Sequence, residues 1–400
     1  MRQMRLGSWR AGAGLVVGTL LAVSAVPPVA AAAAGGPCRV AESGSATASY
    51  SDVQTALDSA QSGDTLTIQG TCVGNFAVGA KTLTLQGKGR ATLDGGATGS
   101  VLWVDAGATI TVSNLTITHG NSTTGGGGLT NFGELTLTNA LVTANTSSVG
   151  GGGVANSGSI AIMNSSIAGN SASAAFDAGG AIVNWPSGSA TVTGSQLTAN
   201  AAFIGGGIDN YGSLTISKST IADNTAAQGG GIDASGSYGG SVDIADSTIS
   251  GNHVTGDSSH GLVANGGGIL FFGGTMTVVN TVLSGNIADR DGGAIDDEGG
   301  TLVLDGATIG TRRAPNTAGN FGGGISNALN ANAAATLIFQ NAPTVLDYNT
   351  AATQGGAIYT SGSTGGGTVV CGSPSLVVYG THNSPDDSYD SVLGSDTVCQ

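Results

Sequence analysis

GGGIDNYGSLTISKSTIADNT, residues 205–225, places three glycines before an aliphatic residue, then alternates Leu214 and Ile216 with polar neighbours, then sets Ile221 three residues before Asn224. The same order recurs along the chain. A Gly-Gly-Gly/Ala triplet followed by an aliphatic has its third residue at 128, 153, 181, 207, 231, 268, 294, 324 and 357. Between triplets runs a second phrase, read as Leu135, Leu137, Val142, Asn145; as Ile160, Ile162, Ile167, Asn170; and as Leu214, Ile216, Ile221, Asn224. Val242, Ile244, Ile249, Asn252 and Met276, Val278, Leu283, Asn286 repeat it, and Ile110, Val112 and Ile117 begin it without the Asn.

Spacing by two inside each phrase predicts strands, and a repeat near 25 residues with no helical period predicts coils made of strands alone. About three short strands per repeat predict an all-β, single-stranded, right-handed parallel β-helix. Its coils would stack at roughly 4.8 Å, and handedness follows from crossover chirality. Nine triplets with two or three earlier coils give about a dozen coils, a rod on the order of 55 Å long. Longer steps between triplets place insertions at 253–265, 310–321 and 326–335.

Asn145, Asn170, Asn200, Asn224, Asn252 and Asn286 recur at one point of the coil, where stacked amides can bond along the axis. The glycines read as tight turns and close backbone approach. No G-x-x-x-x-G-K-[ST] is present, and Lys218 reads as part of a strand phrase, so no phosphate loop is expected. The calcium-binding nonapeptide is also excluded by its period.

Composition agrees. Of 400 residues 71 are Gly and only 8 Pro, which excludes collagen, and charged residues make up 9%, so the surface must be largely Ser, Thr, Asn and Gly. The first 34 residues, with a basic head, an apolar run AGAGLVVGTLLAVSAV and an Ala-rich exit, read as a secretory signal peptide, and a secreted, extracellular protein is expected. The apolar run is shorter than a membrane span needs, so no membrane insertion is expected. Removing Arg2, Arg5 and Arg10 leaves 8 basic against 25 acidic groups, a net of −17 that repels nucleic acid.

Cys38, Cys72, Cys371 and Cys399 lie two near each end. Sequential pairing, Cys38 with Cys72 and Cys371 with Cys399, is the simplest of three connectivities, and no C-x-x-C spacing suggests a metal. Val53, Ala56, Leu57 and Ala60 form a helical stripe in 51–63, with Ser51 and Gln54 spaced as a capping box and Gly63 as terminator. The resulting division is 1–34 signal peptide, 35–62 N-terminal cap with this helix, 63–362 β-helix, and 363–400 a disulfide-closed C-terminal cap.

The pattern GGG-I-x-N-x-G-x-L-x-I-x-x-S-x-I-x-x-N, with SGDTLTIQGTCVGNF, KTLTLQGKGRATLDG and LTITHG ahead of it, resembles the right-handed parallel β-helix proteins of the pectin-lyase-like group. It is similar in particular to secreted bacterial proteins with polymorphic outer-membrane-protein repeats. The likeness covers about 63–362 and implies the fold. The group includes polysaccharide lyases and hydrolases as well as adhesins, so function must be read from the site. Of the polygalacturonase-like phrases only a lone Asp296-Asp297 is present, and His260-Gly261 lacks a preceding Gly. Inherited catalysis is therefore not expected, and His119, His253, His260 and His382 read as solvated turn residues.

If the aliphatic after each triplet points inward, alternation turns the second and fourth residues outward. The second positions include Asp209, Asp233 and Asp296, and the fourth include Phe132, Trp185, Tyr211, Phe272 and Glu298. In a chain with 4% aromatics, four in one column read as a sugar-stacking track. Asp209 and Asp233 fall on consecutive coils, about 5 Å apart, the separation of a retaining glycosidase pair or of a pair that takes calcium. Arg290 or Arg312 would assist such a pair. The function expected is a monomeric binding or surface-interaction module for extracellular polysaccharide or a cell-surface glycan. No cofactor is expected, and calcium at that pair is the one candidate. The alternatives are a polysaccharide lyase or hydrolase acting through Asp209 and Asp233, and a purely structural or adhesive rod.

Overall fold

A computed structural model of the chain describes residues 36–43, 49–173, 178–234, 241–256, 263–327, 335–360, 368–371, 377–380, 382–384 and 388–390. The segment read as a signal peptide, His260 and Cys399 lie outside the described residues. The coil that contains the opening stretch shows the plan. Ile208–Asn210, Ser213–Ser217, Thr220–Ala222 and Thr225–Ala226 are four consecutive strands, and Gly229 starts the next triplet. The first three pair in parallel with the equivalent strands of the coils before and after, as Leu214 with Ala190 and Val242. Thr225–Ala226 pairs with His253–Val254 and meets the coil before it only through the bridge of Ala201 to Thr225.

Repeated along the chain, this gives a right-handed parallel β-solenoid with sheets of 14, 12 and 12 strands. A shorter fourth sheet is split into runs of 3 and 5 strands. About nine coils are regular, the nine that follow a Gly triplet, and the dozen expected is reached only by counting the less regular coils at the ends. In sequence order the four sheets of a coil are called here the triplet sheet, the long sheet, the second sheet and the ladder sheet. The phrase aliphatics fill the axis: Leu214, Ile216 and Ile221 are buried, as are Leu135, Leu137 and Val142.

Between the long and second sheets the chain turns through one left-handed residue, with φ from 45° to 55° at Asn114, Asn139, Asn164, Lys218, Asp246 and Asn280. Lys218 therefore occupies a turn and not a strand, an assignment that alternation alone could not make. The insertion expected at 310–321 narrows to a tight turn in which Thr311 and Ala314 pair.

The N-terminal end is closed as expected, by different atoms. Helix α1 (Val53–Ser59) buries Val53, Ala56 and Leu57. Its cap is Asp52, whose carboxylate accepts from the Thr55 amide at 2.8 Å, one residue along from the expected Ser51–Gln54 box. Gln54 instead works as a substitute strand. Its amide accepts from Ala77 N at 2.9 Å and donates to Ala77 O at 3.1 Å, covering the edge of the first coil. Strand β1 (Arg39–Glu42) closes the long sheet by pairing antiparallel with both β2 (Ser49–Tyr50) and β3 (Thr65–Gln69).

Cys38 and Cys72 form a disulfide. Cys371 is also disulfide-bonded. Toward the C terminus, Thr368–Cys371, Val377–Tyr379 and Ser388–Asp390 extend the long, second and triplet sheets in parallel, so the coil continues where the repeat phrase fades. No helix among the described residues is long and apolar enough to cross a membrane.

Candidate functional site

The first residue after each triplet points to the axis, as at Ile208 and Ile232. The second, expected at the surface, is buried as well. Asp209 and Asp233 are each 1% exposed, and Thr130, Ala155, Val183, Leu270, Asp296 and Ser326 are buried with them. The glycines are the cause. The triplet turn folds back over this column so closely that a Cβ on Gly229 or Gly292 would meet the Cβ of Asp233 at 2.6 Å or of Asp296 at 2.5 Å. Both glycines also have φ near +65°, at 62° and 67°, where an L side chain is strained.

The result is a second, narrow compartment beside the axis, roofed by glycine and walled by the ladder sheet. In it Ser100 Oγ lies 2.8 Å from Thr130 Oγ1, and Thr130 Oγ1 accepts from Gly126 N at 2.9 Å. The expected outward carboxylate pair is corrected accordingly. Asp209 and Asp233 do occupy the same slot of adjacent coils, but beneath the turn, where a polymer lying on the surface does not reach them. Arg290 is committed to Asp291, 3.2 Å away.

The fourth column does reach the surface. Phe132 is 43% exposed, and Trp185, Tyr211 and Phe272 are half-buried. Trp185 and Tyr211 stack at 5.9 Å between ring centroids with planes 17° apart. Trp103, from the second column one coil earlier, tilts against Phe132 at 5.4 Å. Glu298 continues this column one coil beyond Phe272, its amide bonded to Phe271 O.

Around Glu298 lies a cluster of acids. Asp291 Oδ1 accepts from Asn320 Nδ2 and Phe321 N, both at 3.1 Å, and burial still raises its pKa against the pull of Arg290. Asp296 is held well above the usual carboxylate range by burial first and by the nearby Glu298 second. Asp297 faces the axis and accepts from Gly299 N at 3.1 Å, and burial pushes it up to about 7. Asp296-Asp297 was legible as a lone acidic pair, whereas its burial was not.

Two further features went unread in the sequence. Asn131, Asn156, Asn184 and Asn210, the third residues after their triplets, form a second amide ladder with links of 2.7 to 2.8 Å. The described histidines also have carboxylate partners. His119 meets Asp94 at 2.9 Å, His253 meets Asp289 at 3.6 Å, and His382 meets Asp347 at 3.2 Å while stacking on Tyr348. Among the described residues no three His, Cys, Asp or Glu side chains converge into a metal cage.

No family model, curated protein or solved structure matches this chain.

Proposed function

We propose that the protein is a secreted β-solenoid that binds extracellular polysaccharide, or a cell-surface glycan, along the aromatic column Phe132, Trp185, Tyr211 and Phe272. The observation that carries this reading is the placement of those rings on one line of the surface, parallel to the axis, in a chain otherwise poor in aromatics. Phe132 and Trp185 stand two coils apart, as do Tyr211 and Phe272, a spacing of roughly 10 Å. Trp185 and Tyr211, on adjacent coils, form the middle of this line, and aromatic faces so aligned suit a linear polymer, because each sugar ring presents an apolar face to stack on. The Cys38–Cys72 bond favours an oxidising compartment, in keeping with export. The kinship proposed is with pectin-lyase-like β-helices of the polymorphic outer-membrane-repeat kind, on the strength of the repeat phrase. Burial of Asp209 and Asp233 speaks against hydrolysis or elimination by that pair.

Residues 35–400 incubated with a panel of neutral and acidic polysaccharides, with and without calcium, test the reading by co-sedimentation and by the appearance of reducing ends. Co-sedimentation without new ends, weakened at least tenfold by Trp185→Ala, supports it. New reducing ends would make the protein an enzyme. Neither signal would leave a structural or adhesive rod.

A further inference from the structure

We propose that Asp296, Glu298 and the side-chain oxygen of Asn265 together hold a divalent cation, calcium by its donor chemistry, at the rim of the glycine-roofed compartment. Asp296 is 1% exposed and neither of its oxygens receives a hydrogen bond, although Ser326 lies beside it. Asn265, 3% exposed, is the second and independent sign. Its Nδ2 donates to Glu298 Oε1, while its Oδ1 has no donor. A buried amide oxygen and a buried carboxylate, linked through Glu298 and each short of donors, make a site in which acceptors outnumber donors.

Buried acceptors of this kind need a donor or a positive charge. A proton shared between Asp296 and Glu298 would relieve the carboxylates and leave Asn265 Oδ1 as it stands. A cation satisfies Asp296 and Asn265 Oδ1 together, with Glu298 as a further carboxylate ligand. Asp291, the nearest further acid, does not complete the set, because Arg290, Asn320 and the Phe321 amide already engage it. The donors come from different points of two coils: Asn265 precedes one triplet, and Asp296 and Glu298 follow the next. Oxygen ligands in such irregular positions suit calcium, which accepts six to eight at about 2.3 to 2.6 Å, better than magnesium, which demands an octahedron. Glu298 is half-buried, so water completes the coordination from the solvent side. The neighbouring coils carry Leu270 and Ser326 in the slot of Asp296, which confines the site to this coil.

Calorimetric titration of residues 35–400 with calcium chloride, paired with thermal melts in calcium and in chelator, tests the site without any glycan. One saturable site and a melting temperature several degrees higher in calcium are expected. Asp296→Asn should abolish both responses, whereas Asp243→Asn, an exposed acid on the long sheet, should preserve them. If Asp296→Asn does not fold, Glu298→Gln at the rim carries the same expectation. Absence of saturable binding, or a calcium response that survives both substitutions, would overturn the proposal.

Discussion

Asn224 makes four side-chain hydrogen bonds inside the solenoid. Its Nδ2 donates to Leu197 O at 3.0 Å and to Asn252 Oδ1 at 2.9 Å, and its Oδ1 accepts from the backbone and side-chain nitrogens of Asn200. Replacing it with Ala strands those partners in a dry interior, and Asn224→Ala is expected to cost about 2 to 4 kcal/mol in denaturant unfolding. Asp297 makes a different claim, on pH. Its folded pKa, about 7, lies above that of an unfolded Asp, so between roughly pH 4 and 7 the folded state binds the extra proton. Stability should therefore fall as pH rises through that window and level off above it. In chelator, with no calcium beside it at Asp296 and Glu298, Asp297→Asn should flatten this slope and stabilise the protein at pH 8 by up to about 4 kcal/mol, read from melts across pH. The Asn column could be read from its recurrence alone. The buried acids could not, because alternation assigns a side chain to a face and is silent on whether a glycine turn then covers that face.

Helix α1 depends on a residue outside it. Lys81 Nζ donates to the carbonyl oxygens of Leu57, Asp58 and Ala60, each at 2.9 Å, and so caps the C-terminal end of the helix from the next coil. Lys81→Met keeps the stem and removes these bonds. A loss of about 1 to 3 kcal/mol is expected, with faster amide exchange in 53–60 as the first sign. The helix itself was legible from its apolar stripe. Its true cap at Asp52 was not, because Ser51 and Asp52 are both good caps, and the choice is made by where Gln54 must sit to pair with Ala77.

Across the whole molecule each coil touches chiefly its neighbours, so stability should be distributed along the axis and not shared evenly. The Cys38–Cys72 bond, spanning 34 residues, fastens the first coils, a constraint of about 4 kcal/mol in the chain-entropy model. Hydrogen exchange on Cys38→Ser should accelerate in 36–73 and leave 208–250 unchanged. Uniform acceleration would mean that the solenoid opens as one unit. The fold was legible at this scale because nine Gly triplets, with the strand phrase between them, state it over and over. The coil count was not, since the end coils keep the strands and lose the phrase.

The amide column from Asn145 through Asn170, Asn200, Asn224, Asn252, Asn286, Asn316 and Asn349 to Asn383 joins residues 24 to 34 positions apart by links of 2.9 to 3.1 Å. Every link presents the same donor upward and the same acceptor downward, whatever the length of chain between. Any coil can consequently mate with any other, and a segment running from one of these asparagines to the next is a module that genetic duplication or excision could add or drop without redesigning its neighbours. The length of this protein is then a trait open to evolution in whole steps, and the reach of its surface would change with it.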